Sequence, residues 1–261
     1  MIQTRSAADR CVAIGIGTPG FIDKDTGTLL GGCENIPSLQ GRSVQQYLEG
    51  EFGIPSFADN DATCAAAGEL AFGAGRNFRN FIFVTLGTGI GGGFVLDGKV
   101  FRGARGFAGE IGHLCIDPNG LWCNCGSRGC FEQYASGPAL VRIYAEKRHK
   151  RGMGAGEELS ARDVVDRARA GDRLAIDTLE DAGRWIAQAF GTLLNLLNLE
   201  ACIVGGGISH AGEILLEPVR RHLPDYTWAL VGKGVEIVLA ELRNDAGILG
   251  AAAQALERLE G

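Results

Sequence analysis

The sequence lacks long apolar runs and an excess of basic residues, and both absences exclude classes of protein. No run of 18 apolar residues occurs, so we expect no transmembrane helix. The start MIQTRSAADR has no apolar signal-peptide core, which favours a cytoplasmic protein with reduced thiols. The net charge of -6 argues against a nucleic-acid-binding surface, since such surfaces carry clustered lysine and arginine. A small ligand, anionic or not, remains open, because a site can be locally basic.

Glycine, by contrast, is abundant, and its placement predicts the fold class. The 41 glycines gather at 15–20, 87–93, 103–112 and 205–207, mostly where an apolar strand-like stretch ends. Between them, strand-like and helix-like stretches alternate along the chain. This alternation predicts an α/β fold.

A cysteine-rich segment, GHLCIDPNGLWCNCGSRGCFE at 112–132, holds four of the eight cysteines and one of the four histidines. His113, Cys123, Cys125 and Cys130 make the set of three thiolates and one imidazole that zinc prefers in closed structural sites. Four reduced cysteines that merely lie close, or a disulfide pair, are the alternatives. A reducing compartment argues against the disulfide interpretation, and we favour zinc.

Asp61 follows a predicted strand and opens a predicted helix. Its carboxylate is therefore expected at the carboxyl edge of the sheet, where α/β folds bind ligands. A simple helix cap is the structural alternative, because Asp is common there.

The stretch LGTGIGGG predicts a tight turn between two strands. A hairpin that needs positive φ explains one or two of the five glycines in 87–93, but hardly all of them. Backbone amides and the Thr88 hydroxyl in such a turn could instead cradle phosphate oxygens.

Several of these motifs together resemble one family. CNCGSRGCFE matches the C-x-C-G-x-x-G-C-x-E signature of the ROK family, which comprises bacterial sugar kinases and sugar-responsive repressors. The agreement extends over nearly the whole chain, in the family order, through the stretches AIGIGTPGFID, ADNDATCAAAGELAFGAG, TLGTGIGGG, GFAGEIGH and IVGGGIS.

The resemblance implies roles for individual residues. Asp61 is implied as the catalytic base, and the zinc is implied to have a scaffolding role. The implied sugar-binding residues are Gly20, Asn60, Asp61, Glu110, His113 and Glu132. The implied ATP-binding residues are Thr88, Gly89, Gly205, Gly206 and Gly207, with Mg²⁺ accompanying ATP.

The resemblance also implies the architecture, a two-lobed actin/Hsp70/hexokinase-like (RNase H-like) fold. Residues 1–73 and 247–261 are expected to form a smaller lobe, and residues 74–246 a larger lobe with the zinc loop. A homo-oligomer, dimer or tetramer, is also implied.

One feature departs from the family pattern. ROK kinases begin with a hairpin carrying a D-x-G-G-T phosphate loop, and the chain lacks it, since DTGT at 25–28 reads as a turn. We therefore expect an N-terminally truncated first lobe, with either an upstream true start or a fragment that binds ligand without turnover.

The functional expectation is an ATP-dependent hexose kinase, glucokinase-like, that phosphorylates the sugar 6-hydroxyl. The alternatives are the effector domain of a ROK transcriptional repressor and a truncated sugar-binding protein without turnover.

Overall fold

The computed structural model describes residues 11–33, 36–153 and 158–260. The segment at Met1, where the first lobe is expected to be truncated, lies outside these ranges. The strands are β1 (Ile14–Thr18), β2 (Phe21–Ile22), β3 (Leu29–Gly31), β4 (Ser56–Asn60), β5 (Phe81–Leu86), β6 (Ile90–Leu96), β7 (Lys99–Phe101), β8 (Ala201–Gly205) and β9 (Glu236–Leu239). The helices are α1 (Val44–Phe52), α2 (Asp61–Phe72), α3 (Glu132–Ala135), α4 (Gly137–Lys150), α5 (Ala161–Arg169), α6 (Arg173–Leu197), α7 (Glu213–His222), α8 (Ala229–Gly232) and α9 (Ala246–Glu260). The predicted α/β class is confirmed.

The central sheet has the strand order β7-β6-β5-β8-β9. β5, β8 and β9 run parallel, whereas the β5–β6–β7 meander is antiparallel. The long helix α6 packs fully buried Ile186, Phe190 and Leu194 into the main apolar core beside this sheet. The turns that follow β5 and β8 therefore open at the same edge of the sheet.

A smaller parallel pair, β1 and β4, positions the Asn60–Asp61 segment. In register, Thr18 is opposite Asn60. The sequence predicts a buried β1, but most of its residues are only half-buried, because β1 pairs with β4 alone among the described residues. β2 and β3 form the predicted hairpin.

Helix ends follow local sequence signals. The Ser43 hydroxyl caps α1 by accepting from the backbone N–H of Gln46, and Gly53 ends the helix in the left-handed region at φ 65°. Ser160 and Asp163 form a capping box at the start of α5. Within the described ranges, none of the helices combines the length and apolar character that crossing a bilayer requires.

The last helix, α9, lies against α2 and β1. The helices touch through glycine, since a Cβ on Gly250 would lie 1.7 Å from the Cys64 carbonyl oxygen and one on Gly68 2.2 Å from that of Ala246. Residues 247–260 therefore pack on the segment that carries Asp61. The lobe boundaries remain a prediction.

Candidate active site

Asn60 connects the start of α2 to the turn after β1. Its side-chain oxygen caps α2 by accepting from the backbone N–H groups of Ala62 (2.9 Å) and Thr63 (3.1 Å). Its side-chain nitrogen donates to the carbonyl oxygen of Gly20 at 3.3 Å. Two of the predicted sugar-binding residues, Gly20 and Asn60, are thus held together.

Asp61 is the first residue of α2, and its side chain is exposed. The cap expected as its alternative role belongs to Asn60 instead. One carboxylate oxygen of Asp61 accepts from the N–H of Ala62 at 2.8 Å, and the other has no hydrogen bond within the described part of the chain. Asp61 therefore keeps a free oxygen for a proton.

Three carboxylates and a histidine converge on one site. Burial raises the pKa of Glu110, the charges of Asp61 and Glu132 raise it further, and His113 opposes them. Solvent reaches part of Glu110, yet the surrounding protein still desolvates its carboxyl group. Four predicted sugar-binding residues that are distant in sequence therefore lie within electrostatic reach of one another.

The cysteine-rich loop brings its four predicted metal ligands together. Nδ1 of His113 and the Sγ atoms of Cys123, Cys125 and Cys130 all lie within 4.8 Å of one another. Cys125 and Cys130 have their sulfurs 3.5 Å apart, and Cys123 Sγ is 3.6 Å from His113 Nδ1. A tetrahedral site with Zn–S near 2.3 Å requires ligand separations of about 3.6 to 3.8 Å, so the donor set fits zinc.

The thiols themselves differ in acidity. A hydrogen bond from the backbone N–H of Ser127 lowers the pKa of Cys125 to about 7. Burial raises the pKa of Cys130 to about 12. All eight cysteines are free, so the disulfide alternative is not formed. Isolated apolar cysteines are expected to be buried, and Cys33, Cys64 and Cys202 are, whereas Cys11 is only half-buried.

The glycine turn after β5 does not use positive φ at any of its five glycines in 87–93. Gly91 and Gly93 lie against α2, where a Cβ on Gly93 would be 2.6 Å from that of Ala66. Gly89 faces Glu132, whose carboxylate also accepts from the N–H of Ile90 at 2.9 Å. Close packing explains these glycines, while Gly87 and Thr88 open into a cavity.

That cavity, of about 1140 Å³, is the larger of two beside the sheet edge. Gly87, Thr88 and Gly207 line one side of it. Further lining comes from α4, from α5 with the residues just before it, and from the segments at the ends of β8 and β9, and its apolar members are Pro138, Val141, Leu159, Val165, Ile208 and Leu239. A polar turn and an apolar lining in one cavity suit a ligand with a phosphate tail and an apolar ring.

A second cavity, of about 170 Å³, is lined by Asp61, Gly205 and Gly206. The two cavities share four lining residues, Ser209, His210, Ala240 and Arg243. The predicted base therefore lies in a cavity contiguous with the one that contains the predicted phosphate turn. Of the five predicted ATP residues, only Gly89 lines neither cavity.

The structure adds residues that the sequence analysis did not single out. Part of the apolar lining of the large cavity belongs to helices α4 and α5, where such residues are indistinguishable in sequence from ordinary core positions. Arg243 carries one signal, a charged residue before the N-terminus of α9, but surface arginines are too common for that to indicate a site.

Comparison with known proteins identifies the family. The ROK family model matches residues 1–258. A glucokinase from Thermotoga maritima is 40% identical over 258 residues, which cover 95% of this chain and 80% of that protein. The protein belongs to the ROK family.

Solved structures of both branches of the family resemble it. A ROK family glucokinase from Streptomyces griseus, in complex with glucose and AMPPNP, superposes with a TM-score of 0.82 at 35% identity, covering 94% of this chain and 81% of that one. A ROK family transcriptional regulator, a homologue of the E. coli MLC protein, superposes with a TM-score of 0.85 at 29% identity, and the match covers 96% of this chain and 65% of that one. The fold is therefore shared by kinases and regulators, and the site residues must distinguish them.

Proposed function

We propose that this protein is an ATP-dependent hexose kinase, glucokinase-like, that transfers the γ-phosphate of ATP to the 6-hydroxyl of the sugar. One observation carries the proposal: Asp61 lines a cavity contiguous with the larger one that contains the Thr88 turn. The base and the phosphate donor can therefore face each other. The glucokinase relatives and the glucose and AMPPNP complex support the same reaction.

The sugar is held from several sides. The carboxylates of Glu110 and Glu132 accept hydrogen bonds from sugar hydroxyls, since a carboxylate can take two neighbouring hydroxyl donors. The side-chain oxygen of Asn60 is occupied by the cap of α2, so Asn60 donates its remaining amide N–H to a sugar oxygen. The second ring nitrogen of His113 is available to the sugar, because Nδ1 is directed at the thiols. These contacts fix the 6-hydroxyl beside Asp61.

The reaction then needs little covalent assistance from the protein. Asp61 accepts the proton of the sugar 6-hydroxyl while the hydroxyl oxygen attacks the γ-phosphorus. ADP leaves with the electron pair of the broken bond. ATP arrives with Mg²⁺, which neutralises phosphate charge. Thr88 and the amides of Gly205–Gly207 receive the phosphates, and the apolar walls of the large cavity receive the adenine.

We further propose that His113, Cys123, Cys125 and Cys130 hold a structural Zn²⁺. Four protein ligands close the coordination shell, so the metal supplies a rigid scaffold and no activated water. The scaffold fixes the loop between Glu110 and Glu132.

A homo-oligomer is also proposed. Leu196, Trp228 and Leu230 are 73%, 72% and 78% exposed around the end of α6. Large apolar groups exposed together favour association. Light scattering on the protein and on the variant carrying Trp228→Ser and Leu230→Ser tests this, and an unchanged mass would exclude this surface.

The kinase proposal is tested with purified protein, Mg-ATP and glucose, fructose, mannose, N-acetylglucosamine or N-acetylmannosamine. We expect glucose 6-phosphate from the wild type and a rate at least ~100-fold lower from Asp61→Asn. Equal activity in both proteins would remove Asp61 as the base.

The sugar-responsive regulator is the second candidate, favoured by the TM-score of 0.85. Calorimetry that shows sugar binding, together with the absence of phosphorylation of every sugar, would support this alternative over the kinase.

A further inference from the structure

Arg243 is one of the four residues that line both cavities. It lines the large cavity together with Gly87 and Thr88, and it lines the small cavity together with Asp61. In the proposed reaction the phosphate donor occupies the first cavity and the base belongs to the second. The γ-phosphate must therefore pass close to this residue.

The backbone of Arg243 is strained. Its φ is +52°, and the other non-glycine residues with positive φ in the described part of the chain are Asp97 and Asn198. Asp and Asn are the types that tolerate this conformation, whereas a long side chain such as Arg does so at a cost. Strain of this kind persists where the surrounding structure imposes it, and it is frequent at functional sites.

A buried carboxylate anchors the segment that leads into Arg243. Glu69 in α2 is completely buried, and its two oxygens accept from the backbone N–H groups of Ala74 (2.7 Å), Glu241 (3.2 Å) and Leu242 (2.9 Å). The residue immediately before Arg243 is thus anchored to the helix that begins with Asp61. The position of Arg243 relative to the base is therefore built into the fold.

The guanidinium of Arg243 is also uncompensated. It has no ion pair or hydrogen bond to any residue that the structure describes. Other arginines around the large cavity are occupied: Arg142 contacts Glu146 at 3.0 Å, and Arg162 and Arg169 each lie 3.7 Å from Asp166. An unpaired cation beside a phosphate turn is a donor group without a partner, and a guanidinium can bind two phosphate oxygens at once.

We propose that Arg243 is a phosphate-binding residue that contacts the β- and γ-phosphate oxygens of the donor and stabilises the charge that develops during transfer. This inference rests on the proposed kinase function. While Asp61 takes the hydroxyl proton and the bond between the γ-phosphorus and the leaving ADP oxygen breaks, Arg243 balances the negative charge on the transferring group and on ADP. No co-reactant besides Mg-ATP and the sugar is needed.

Arg243→Gln and Arg243→Gly test the proposal, with Arg76→Gln as the matched control. Arg76 contacts Glu241 at 3.2 Å, so it touches the same segment and carries the same charge, but it lines neither cavity. We expect the Arg243 variants to lower kcat by ~100-fold. They should weaken ATP binding by about tenfold while leaving AMP binding unchanged, and the control should match the wild type.

Arg243→Gly also separates function from folding. Because glycine adopts φ +52° without cost, the Tm of the Arg243→Gly variant should rise by about 2 to 4 °C even as its kcat falls. Wild-type kcat, or an unchanged ratio of ATP to AMP affinity, in both Arg243 variants would overturn the inference.

The two proposals fail in different ways. A wild-type protein that phosphorylates no sugar contradicts the kinase function, and the comparison of ATP with AMP in calorimetry then decides about Arg243 by itself. Selective loss of ATP affinity would support phosphate binding, whereas equal loss of both nucleotides, no loss, or no nucleotide binding by the wild type would overturn it.

Discussion

The carboxylate of Glu132 accepts a 2.9 Å hydrogen bond from the backbone N–H of Ile90. Glu132 is the last residue of the cysteine-rich segment, and Ile90 lies within the glycine-rich stretch 87–93 as the first residue of β6. A single side chain thus connects the proposed zinc scaffold to the proposed phosphate turn. The sugar side and the nucleotide side of the site are therefore mechanically joined.

Replacing Glu132 should affect both substrates. Glu132→Ala removes the bond to Ile90 and the sugar-facing oxygen, so the KM values for glucose and for ATP should both rise, by roughly tenfold for a charged hydrogen bond. Glu132→Gln can keep a carbonyl oxygen on Ile90, so mainly the glucose KM should rise. Steady-state kinetics measures both, and an unchanged ATP KM in the alanine variant would contradict the coupling.

Removing one zinc ligand should lower sugar affinity. Cys125→Ala is expected to lose most of the bound zinc and to raise the glucose KM, because the loop between Glu110 and Glu132 loses its scaffold. Elemental analysis and kinetics on the same preparation test this. Cys115→Ala is the matched control, since Cys115 is exposed in the same loop but lies outside the ligand group. Zinc loss with unchanged sugar affinity would break the link.

As the pH is lowered, sugar binding should begin to weaken at a higher pH than the pKa of an ordinary glutamate would give. Burial raises the pKa of Glu110 above its usual 4.5, and a protonated carboxyl cannot accept two hydroxyl donors. Zinc with three thiolates carries a net negative charge, so it does not oppose the raised pKa. The glucose KM should therefore rise as pH falls through the raised pKa.

Glu110→Gln provides the comparison for this pH dependence. The variant should show a high glucose KM at every pH, without the acidic limb. The effect of pH on stability runs the other way. The folded state binds the Glu110 proton more tightly than the unfolded state does. The contribution of Glu110 to the free energy of unfolding is therefore present at low pH and is lost as pH rises through the raised pKa. If the rise in glucose KM at low pH persists in the variant, a group other than Glu110 causes that rise.

The ion pair of Asp59 with Arg102 should contribute strongly to stability. Nε of Arg102 lies 2.7 Å from the carboxylate, whose side chain is only 9% exposed, and the other carboxylate oxygen accepts from the N–H of Asn60 at 2.9 Å. Asp59→Ala should cost about 3 kcal/mol in the free energy of unfolding, because it leaves a poorly solvated cation unpaired. Urea denaturation measures this.

An exposed pair provides the control for that measurement. Glu146→Ala removes the exposed partner of Arg142 and should cost less than about 0.5 kcal/mol. Asp59→Ala should also raise the glucose KM, since Asn60 loses a backbone restraint. Equal losses of stability in the two variants would show that burial does not strengthen the Asp59 pair.

Local signals in the sequence accounted for most of the elements. The caps at Ser43 and Ser160 and the apolar periodicity of α6 are signals that act within a few residues, so the sequence alone indicates helices α1, α5 and α6. The strands that end in glycine turns were predicted for the same reason. The short helices α3 and α8, of four residues each, have too little periodicity to be recognised.

Local sequence alone was enough to group His113 with Cys123, Cys125 and Cys130 and to place Asn60 and Asp61 at the start of α2. Dense spacing and the strand-to-helix junction restrict where those side chains can go. Long-range packing sets which of Asn60 and Asp61 caps α2, the bond of Glu132 to Ile90, and the place of Arg243 in the lining of both cavities. Each of these depends on backbone groups or elements far apart along the chain, such as Glu69 and Leu242. Contacts of that kind arise from packing, and no local pattern encodes them.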